Sequence, residues 1–180
     1  NAQEVIDIAG GFIQKNSLQI KKALVSPKHI QDPVIIESFT EDVDRKQTKG
    51  KGGKFYMIGK TIEGIVSKIL QENRDSSILL LGRHGFDAYN LSRSADFVYD
   101  EKSGGVKSKM FPGVRIEFMT VHRAKGLGFD NVIIINARND LYGFPSQIQE
   151  DPVLKYVVKD DYSIEYAEER RLFYVALTRT

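Results

Sequence analysis

The segment 131–136 (NVIIIN) constrains the fold of this chain more than any other feature, because it is almost wholly apolar. A strand without a polar face must be covered on both sides, which is the usual position of a strand in a parallel sheet. Residues 78–81 (ILLL) fit a second buried strand, and residues 114–119 (VRIEFM) alternate as a third. Such strands, separated by helical segments, predict an α/β fold with a mainly parallel sheet flanked by helices.

Apolar periodicity predicts three helices around these strands. Residues 2–15 have an amphipathic helical pattern that Gly10 and Gly11 weaken, residues 57–72 have a clear one, and residues 86–91 fit a short helix. Residues 33–39 (PVIIESF) predict a short strand near a sheet edge, since it starts with proline. A chain of 180 residues suits one domain better than two, so residues 1–180 are expected to form a single domain.

Polar side chains are concentrated directly after the strand at 114–119, in the segment 120–126 (TVHRAKG). Ligands of parallel sheets gather at the carboxyl ends of the strands. This segment would place a hydroxyl, an imidazole, cations and bare backbone there, from Thr120, His122, Arg123, Lys125 and Gly126. Taken singly, His122 also fits a hydrogen-bonded turn residue, Lys125 a salt-bridge partner and Gly126 a turn glycine. Their combination at one sheet edge favours a ligand site.

The segment 168–180 (EERRLFYVALTRT) predicts a well-packed helix. Its apolar residues recur at helical spacing, at Leu172, Phe173, Ala176 and Leu177. Glu168 and Arg171 are three apart, which suits an ion-paired first turn. Arg179 follows the apolar stripe, where a packed helix could hold its five-donor fork ready for a phosphate. The alternative is an arginine favoured at a helix C-terminus by the macrodipole.

Both segments resemble conserved motifs of one family. Residues 119–135 (MTVHRAKGLGFDNVIII) resemble motif V of the superfamily 1 DNA helicases of the UvrD, Rep and PcrA type, and residues 168–180 resemble their motif VI. Residues 77–83 (SILLLGR) fit the preceding strand that usually ends in an arginine, and residues 1–6 look like a remnant of motif IV. The phrases FMTVHRAKG, YGFP and AEERRLFYVALTR are most similar to the helicase IV branch.

The resemblance implies a second RecA-like motor domain that lacks a Walker A loop. The intact protein would be an ATP-dependent helicase or translocase that moves along single-stranded DNA or acts at a single/double-strand junction. ATP with Mg²⁺ would lie between this domain and the N-terminal RecA-like domain of the same protein, which carries the Walker lysine and most magnesium ligands. This chain alone is therefore expected not to hydrolyse ATP.

The resemblance also implies roles for individual residues. Arg179 would be the catalytic arginine finger at the γ-phosphate. The nucleotide side would comprise Arg179, Lys125, Gly126 and Gly128. The DNA side would comprise Thr120, His122, Arg83 and Arg123, with motif V coupling the two sites. Most relatives have a ribose-binding glutamate where this chain has Gly128, which puts that sugar contact in doubt.

Two glycine-containing loops are rich in lysine. Residues 45–54 (RKQTKGKGGK) lack the Ser/Thr that follows the lysine of a phosphate loop, so they are not expected to bind nucleotide. A solvated loop is favoured there over a DNA-backbone contact. Residues 101–112 are expected to be a short linker where many relatives carry an accessory domain.

Composition limits which kinds of site and which classes of protein are possible. The chain has no cysteine, which excludes disulfides and thiolate metal sites and suits a reducing compartment. No metal site is expected from three scattered histidines, and no segment is long and apolar enough for a membrane span, so a cytoplasmic protein is expected. Two alternatives remain open: a helicase-like ATPase that remodels a protein complex such as RNA polymerase, and a non-hydrolysing binding module.

Overall fold

The computed structural model describes residues 1–16, 19–20, 22–40, 56–94, 96–100, 102–103, 105–148 and 166–180. The basic loop predicted at 45–54 lies outside these residues. The described elements are, in chain order, α1 (Gln3–Ile13), α2 (Tyr56–Glu72), β1 (Ile78–Gly82), α3 (Phe86–Ser92), β2 (Phe97–Asp100), β3 (Gly105–Ser108), β4 (Ile116–Thr120), β5 (Asn131–Ile134) and α4 (Ala167–Leu177). The predicted helices at 2–15, 57–72 and 86–91 are confirmed.

The main sheet has three parallel strands in the order β4-β1-β5. Leu81 of β1 is opposite Met119 of β4 and Ile134 of β5, and Gly82 is opposite Thr120. The carboxyl ends of all three strands therefore meet at one edge of the sheet. This arrangement confirms the predicted α/β fold with a mainly parallel sheet flanked by helices.

Alternate residues of β1 pack into two separate apolar layers. Ile78 and Leu80 contact the cluster that contains Ile62 and Val66 of α2, whereas Leu79 and Leu81 contact the cluster that contains α4. All four β1 side chains are fully buried, and each such burial stabilises the fold by roughly 1.5–3 kcal/mol. Coverage on both faces is the reason why this strand has no polar residue.

The second layer positions the functional segments relative to each other. Val121 and Ala124, which follow β4, are fully buried in the same cluster as Leu172 and Ala176 of α4. The turn after β4 and the C-terminal helix are thus packed together on one face of the sheet. Helix α1 lies against α4, where the rings of Phe12 and Phe173 are 5.2 Å apart.

Three strand predictions need correction. Residues 33–39 form no strand, and Ile35 and Ile36 are 74% and 89% exposed, because no strand of the described chain pairs with them. The strand predicted at 114–119 begins at Ile116 and ends at Thr120. The strand predicted at 131–136 ends at Ile134, since Asn136 has a left-handed backbone with φ 59° that turns the chain.

The predicted linker at 101–112 contains a strand that the sequence pattern did not indicate. Strand β3 pairs antiparallel with β2, with Phe97 opposite Ser108 and Tyr99 opposite Val106. Val106 is fully buried in the core and anchors the hairpin. A single buried apolar residue among lysines, glycines and serines is too short a pattern to predict a strand.

Among the described residues, no helix has both the length and the apolar character needed to cross a membrane.

Candidate functional site

The carboxyl edge of the sheet gathers most of the predicted site residues. Arg83 follows β1 directly, and Thr120 ends the neighbouring β4 opposite Gly82. The backbone N–H of Val121 donates to the carbonyl of Gly82 over 3.1 Å, which extends the pairing of the two strands into the following segment. The sequence predicted that Thr120 and the polar residues after it would lie at this edge.

Backbone hydrogen bonds and two buried residues fix the turn formed by residues 120–128. The N–H groups of Arg123 and Ala124 both donate to the carbonyl of Thr120, over 3.0 and 3.1 Å. Because Val121 and Ala124 point into the core, the intervening His122 and Arg123 are exposed, as is Lys125. Two buried residues thus fix the turn and leave its imidazole and cations available to a ligand.

The two glycines of this turn differ. Gly126 has φ 87°, a left-handed conformation that strains any residue with a Cβ. Gly128 has no such φ, and a Cβ added to it would meet no atom within 4 Å. The backbone conformation therefore explains why residue 126 is a glycine. Nothing in the described structure requires a glycine at 128.

Arg179 lies just beyond the last residue of α4, against the 120–128 turn. Its Nε donates to the carbonyl of Val175 over 2.9 Å, and its Nη1 donates to the carbonyls of Ala124 and Leu127 over 3.4 and 3.5 Å. The first bond is the helix-capping role that the sequence left open. The two bonds to the turn are long and therefore weak.

The backbone of Arg179 is also tied to this turn. Its carbonyl accepts the N–H of Phe129 over 3.0 Å, and Phe129 is buried in the same core cluster as α4. Main chain and side chain of one arginine thus contact both ends of the segment 124–129. Lys125, Gly126 and Gly128 belong to or adjoin the segment that Arg179 contacts.

Arg83 reaches the predicted edge, but its guanidinium is engaged by Glu169 of α4. The closest approach is 2.7 Å between Nη2 and Oε1, and the two side chains are 20% and 11% exposed. Glu169 also accepts the backbone N–H of Ser146 over 2.9 Å. The sequence indicates no partner for Glu169, because residues so distant along the chain leave no local pattern.

A group of three rings, which the sequence did not single out, lies at the same edge. His84 is stacked on Phe86 with centroids 4.9 Å apart, and Tyr142 is edge-on to Phe86 at 5.6 Å. Burial and, to a lesser extent, the charge of Arg83 lower the pKa of His84. The sequence did contain a hint of this group. His84 and Phe86 closely follow the strand predicted at 78–81, and Tyr142 follows the strand predicted at 131–136 at a greater distance.

The buried side chain of Asp87 fixes the backbone at His84. Its Oδ2 accepts the backbone N–H of His84 over 2.9 Å, and burial raises its pKa. A Cβ on Gly82 would lie 2.8 Å from that oxygen and 2.9 Å from the ring of Phe118, so the end of β1 needs a glycine. Within the described residues, no group of three or more His, Asp or Glu side chains could hold a metal ion.

Comparisons with known proteins agree with the placement of these segments. Residues 90–180 match the UvrD-like helicase C-terminal domain. The chain is 29% identical to DNA helicase IV of Escherichia coli (strain K12) over 173 residues, which cover 96% of this chain and 21% of that protein. The chain thus spans about a fifth of the length of this relative. No solved structure matches the chain. Since the family match covers just over half of the sequence, the chain belongs to the family of UvrD-like helicase C-terminal domains.

Proposed function

We propose that this chain is the second motor domain of a cytoplasmic ATP-dependent DNA helicase. In this proposal Arg179 acts on the γ-phosphate of ATP, and the 120–128 turn connects that site to single-stranded DNA. The observation that carries the proposal is the contact between Arg179 and the turn, in which the guanidinium bonds to the carbonyls of Ala124 and Leu127. The family membership and the similarity to a DNA helicase support it.

The donors around Arg179 fit a triphosphate. A guanidinium offers a planar fork that matches phosphate oxygens, and charge-assisted bonds of this kind are roughly twice as strong as neutral ones. Phosphate oxygens can therefore replace the long bonds from Nη1 to the turn, while Nε keeps its bond to Val175. Lys125, Gly126 and Gly128 are exposed in the same turn, and their cation and backbone would contribute to this site. Charge that develops on the γ-phosphate during hydrolysis would be stabilised by the fork.

The DNA side would be formed by the residues at the other end of the turn. His122 and Arg123 are exposed and Thr120 is half-buried at the sheet edge, which suits contacts that follow a DNA backbone without reading sequence. Arg83 would join them only after Glu169 releases it. Residues 120–123 of the turn would thus contact the DNA. Residues 124–127 of the same turn contact Arg179.

The proposal requires a second motor domain for hydrolysis. The Walker lysine and the residues that hold Mg²⁺ would come from the N-terminal RecA-like domain of the same protein. The bound metal would polarise the phosphate oxygens, and Arg179 would reach the nucleotide across the cleft between the domains. The similarity to a relative about five times longer than the matched segment supports this arrangement.

The test is an ATPase and strand-separation assay on the protein that carries both motor domains. Turnover is expected to rise when single-stranded DNA is added and to be accompanied by strand separation on a duplex with a single-stranded tail. The 180-residue chain alone, as a control, should not hydrolyse ATP. DNA-independent turnover without strand separation would contradict the helicase function, and turnover by a repurified isolated chain would contradict the two-domain site.

A further inference from the structure

The side chain of Thr178 contacts Arg179 and has no role in the function proposed above. Nη2 of Arg179 donates to Oγ1 of Thr178 over 3.2 Å. The same Oγ1 lies 3.0 Å from the carbonyl oxygen of Tyr174 and 3.2 Å from that of Val175. We propose that Thr178 is a positioning residue, whose hydroxyl orients the guanidinium of Arg179 toward the γ-phosphate; this proposal rests on the role of Arg179 in the function above.

A hydroxyl group is suited to link an arginine to the end of a helix. It has one proton and two lone pairs, so it can donate and accept at the same time. The proton of the Thr178 hydroxyl is directed to the last turn of α4, at the carbonyls of Tyr174 and Val175. Its lone pairs are therefore left for the guanidinium, which can only donate. An apolar side chain of the same shape could form neither bond.

Two hydrogen bonds from one edge of the guanidinium fix its plane, whereas a single bond would leave it free to pivot. Nε and Nη2 lie on the same edge of this rigid, planar group. Nε donates to the carbonyl of Val175 over 2.9 Å, and Nη2 donates to Thr178. The last turn of α4 therefore occupies that edge. Nη1, whose bonds to Ala124 and Leu127 are long, and the second N–H of Nη2 are left for a phosphate.

The groups that hold Arg179 leave its charge uncompensated. Its acceptors are backbone carbonyls and the hydroxyl of Thr178, all of them uncharged. Within the described part of the chain, Arg179 forms no ion pair, whereas Arg83 at the same sheet edge is paired with Glu169. A guanidinium that neutral oxygens orient keeps its full charge for an anionic ligand. Such a donor is fixed before charge develops on the γ-phosphate, which is the condition for stabilising that charge effectively.

Removal of the hydroxyl should disturb the helix itself very little. The backbone N–H of Thr178 also donates to the carbonyls of Tyr174 and Val175, over 3.2 and 3.3 Å. Both carbonyls therefore keep a donor when the side chain loses its oxygen. Thr178→Val preserves the β-branched shape and removes only the bonds of the hydroxyl. This substitution separates the orientation of Arg179 from the formation of α4.

The test measures ATP turnover with single-stranded DNA in the protein that carries both motor domains. Thr178→Val is expected to lower kcat by about 10- to 100-fold. KM for ATP should change by less than about threefold, because the lost orientation acts mainly in the transition state. Thr178→Ser keeps the hydroxyl and should keep kcat within about threefold of normal. Thr61→Val is the matched control, because Oγ1 of Thr61 donates in the same way to the carbonyl of Met57 over 2.9 Å, in a helix that carries none of the proposed site residues; its turnover should be normal.

The outcomes separate this proposal from the role of Arg179 itself. An unchanged kcat in Thr178→Val, or an equal loss in Thr178→Ser, would overturn the positioning role. Both valine variants should lower Tm by at most about 2–4 °C; a much larger fall in Thr178→Val alone would assign its loss of turnover to the fold. Arg179→Ala is measured beside them: if it hydrolyses ATP normally, the proposed function of Arg179 fails. If Arg179→Ala loses turnover and Thr178→Val does not, Arg179 keeps its role and Thr178 does not orient it.

Discussion

Arg83 and Glu169 form an ion pair that joins the end of β1 to the first turn of α4. Nη2 of Arg83 is 2.7 Å and Nε 2.8 Å from Oε1 of Glu169. The same carboxylate accepts the N–H of Ser146. One side chain therefore ties together the sheet edge, the segment around residue 146 and the helix that carries Arg179. Since the pair is mostly shielded from solvent, salt screens it less than a surface pair.

Replacing Glu169 by glutamine should destabilise the fold measurably. The variant keeps an acceptor for Ser146 but leaves Arg83 without its counter-charge, so we expect a loss of about 1–3 kcal/mol in unfolding free energy. Urea denaturation measures it. Glu168→Gln is the matched control, because Glu168 is 52% exposed and 3.4 Å from Arg171; its effect should be below about 0.5 kcal/mol. Equal effects would show that the Arg83 pair contributes no more than a surface pair.

The glycines of the 120–128 turn should respond oppositely to alanine. Gly126→Ala places a Cβ on a backbone with φ 87° and is expected to cost about 1–2 kcal/mol. Gly128→Ala meets no atom within 4 Å and should leave stability unchanged or slightly raised, because it restricts the unfolded chain. For a chain of this size, about 1 kcal/mol shifts Tm by roughly 2–4 °C, which calorimetry resolves. A loss at 128 as large as that at 126 would contradict this distinction.

The strand cores and the polar segment at the carboxyl edge of the sheet could be predicted because their patterns are local. The apolar runs at 78–81 and 131–135 need burial on both faces, and the polar segment at 120–126 must follow β4. What could not be predicted depends on contacts distant in sequence. The pairing of Arg83 with Glu169 spans 86 residues. The rings of Tyr142 and Phe86 are in contact only because the folded sheet brings their two segments together. Residues 33–39 show the reverse error, since a strand-like pattern forms no strand without a partner.

Stability should fall as the solution becomes mildly acidic, because folding favours neutral His84. Its pKa in the folded chain is lowered from the ordinary 6.5 by burial and then by Arg83, with His122 adding to the effect and Asp87 and Glu169 opposing it. Between the folded pKa and 6.5 the unfolded chain binds more protons, so unfolding free energy decreases as pH falls through that window. Denaturation at several pH values measures the slope. His84→Gln should flatten it, whereas the exposed His122→Gln should keep most of it; an unchanged slope in His84→Gln would assign it to other groups.

Arg179 has two roles to separate, a structural cap and the proposed arginine finger. Arg179→Ala removes the bond from Nε to the carbonyl of Val175, which should cost about 0.5–1.5 kcal/mol of stability. In the protein with both motor domains, it should also lower kcat for ATP by about three to five decades if the fork stabilises the γ-phosphate.

The comparison with Arg179→Lys separates charge from geometry. A lysine keeps the positive charge but loses the planar fork, so it should recover only part of the lost turnover. Binding of single-stranded DNA should stay close to normal in both variants, because Arg179 contacts the 124–127 end of the turn and not His122. Near-normal kcat in Arg179→Ala, together with the small loss of stability, would leave Arg179 as a helix cap alone. A large fall in kcat that lysine does not fully restore would assign the catalytic role to the fork.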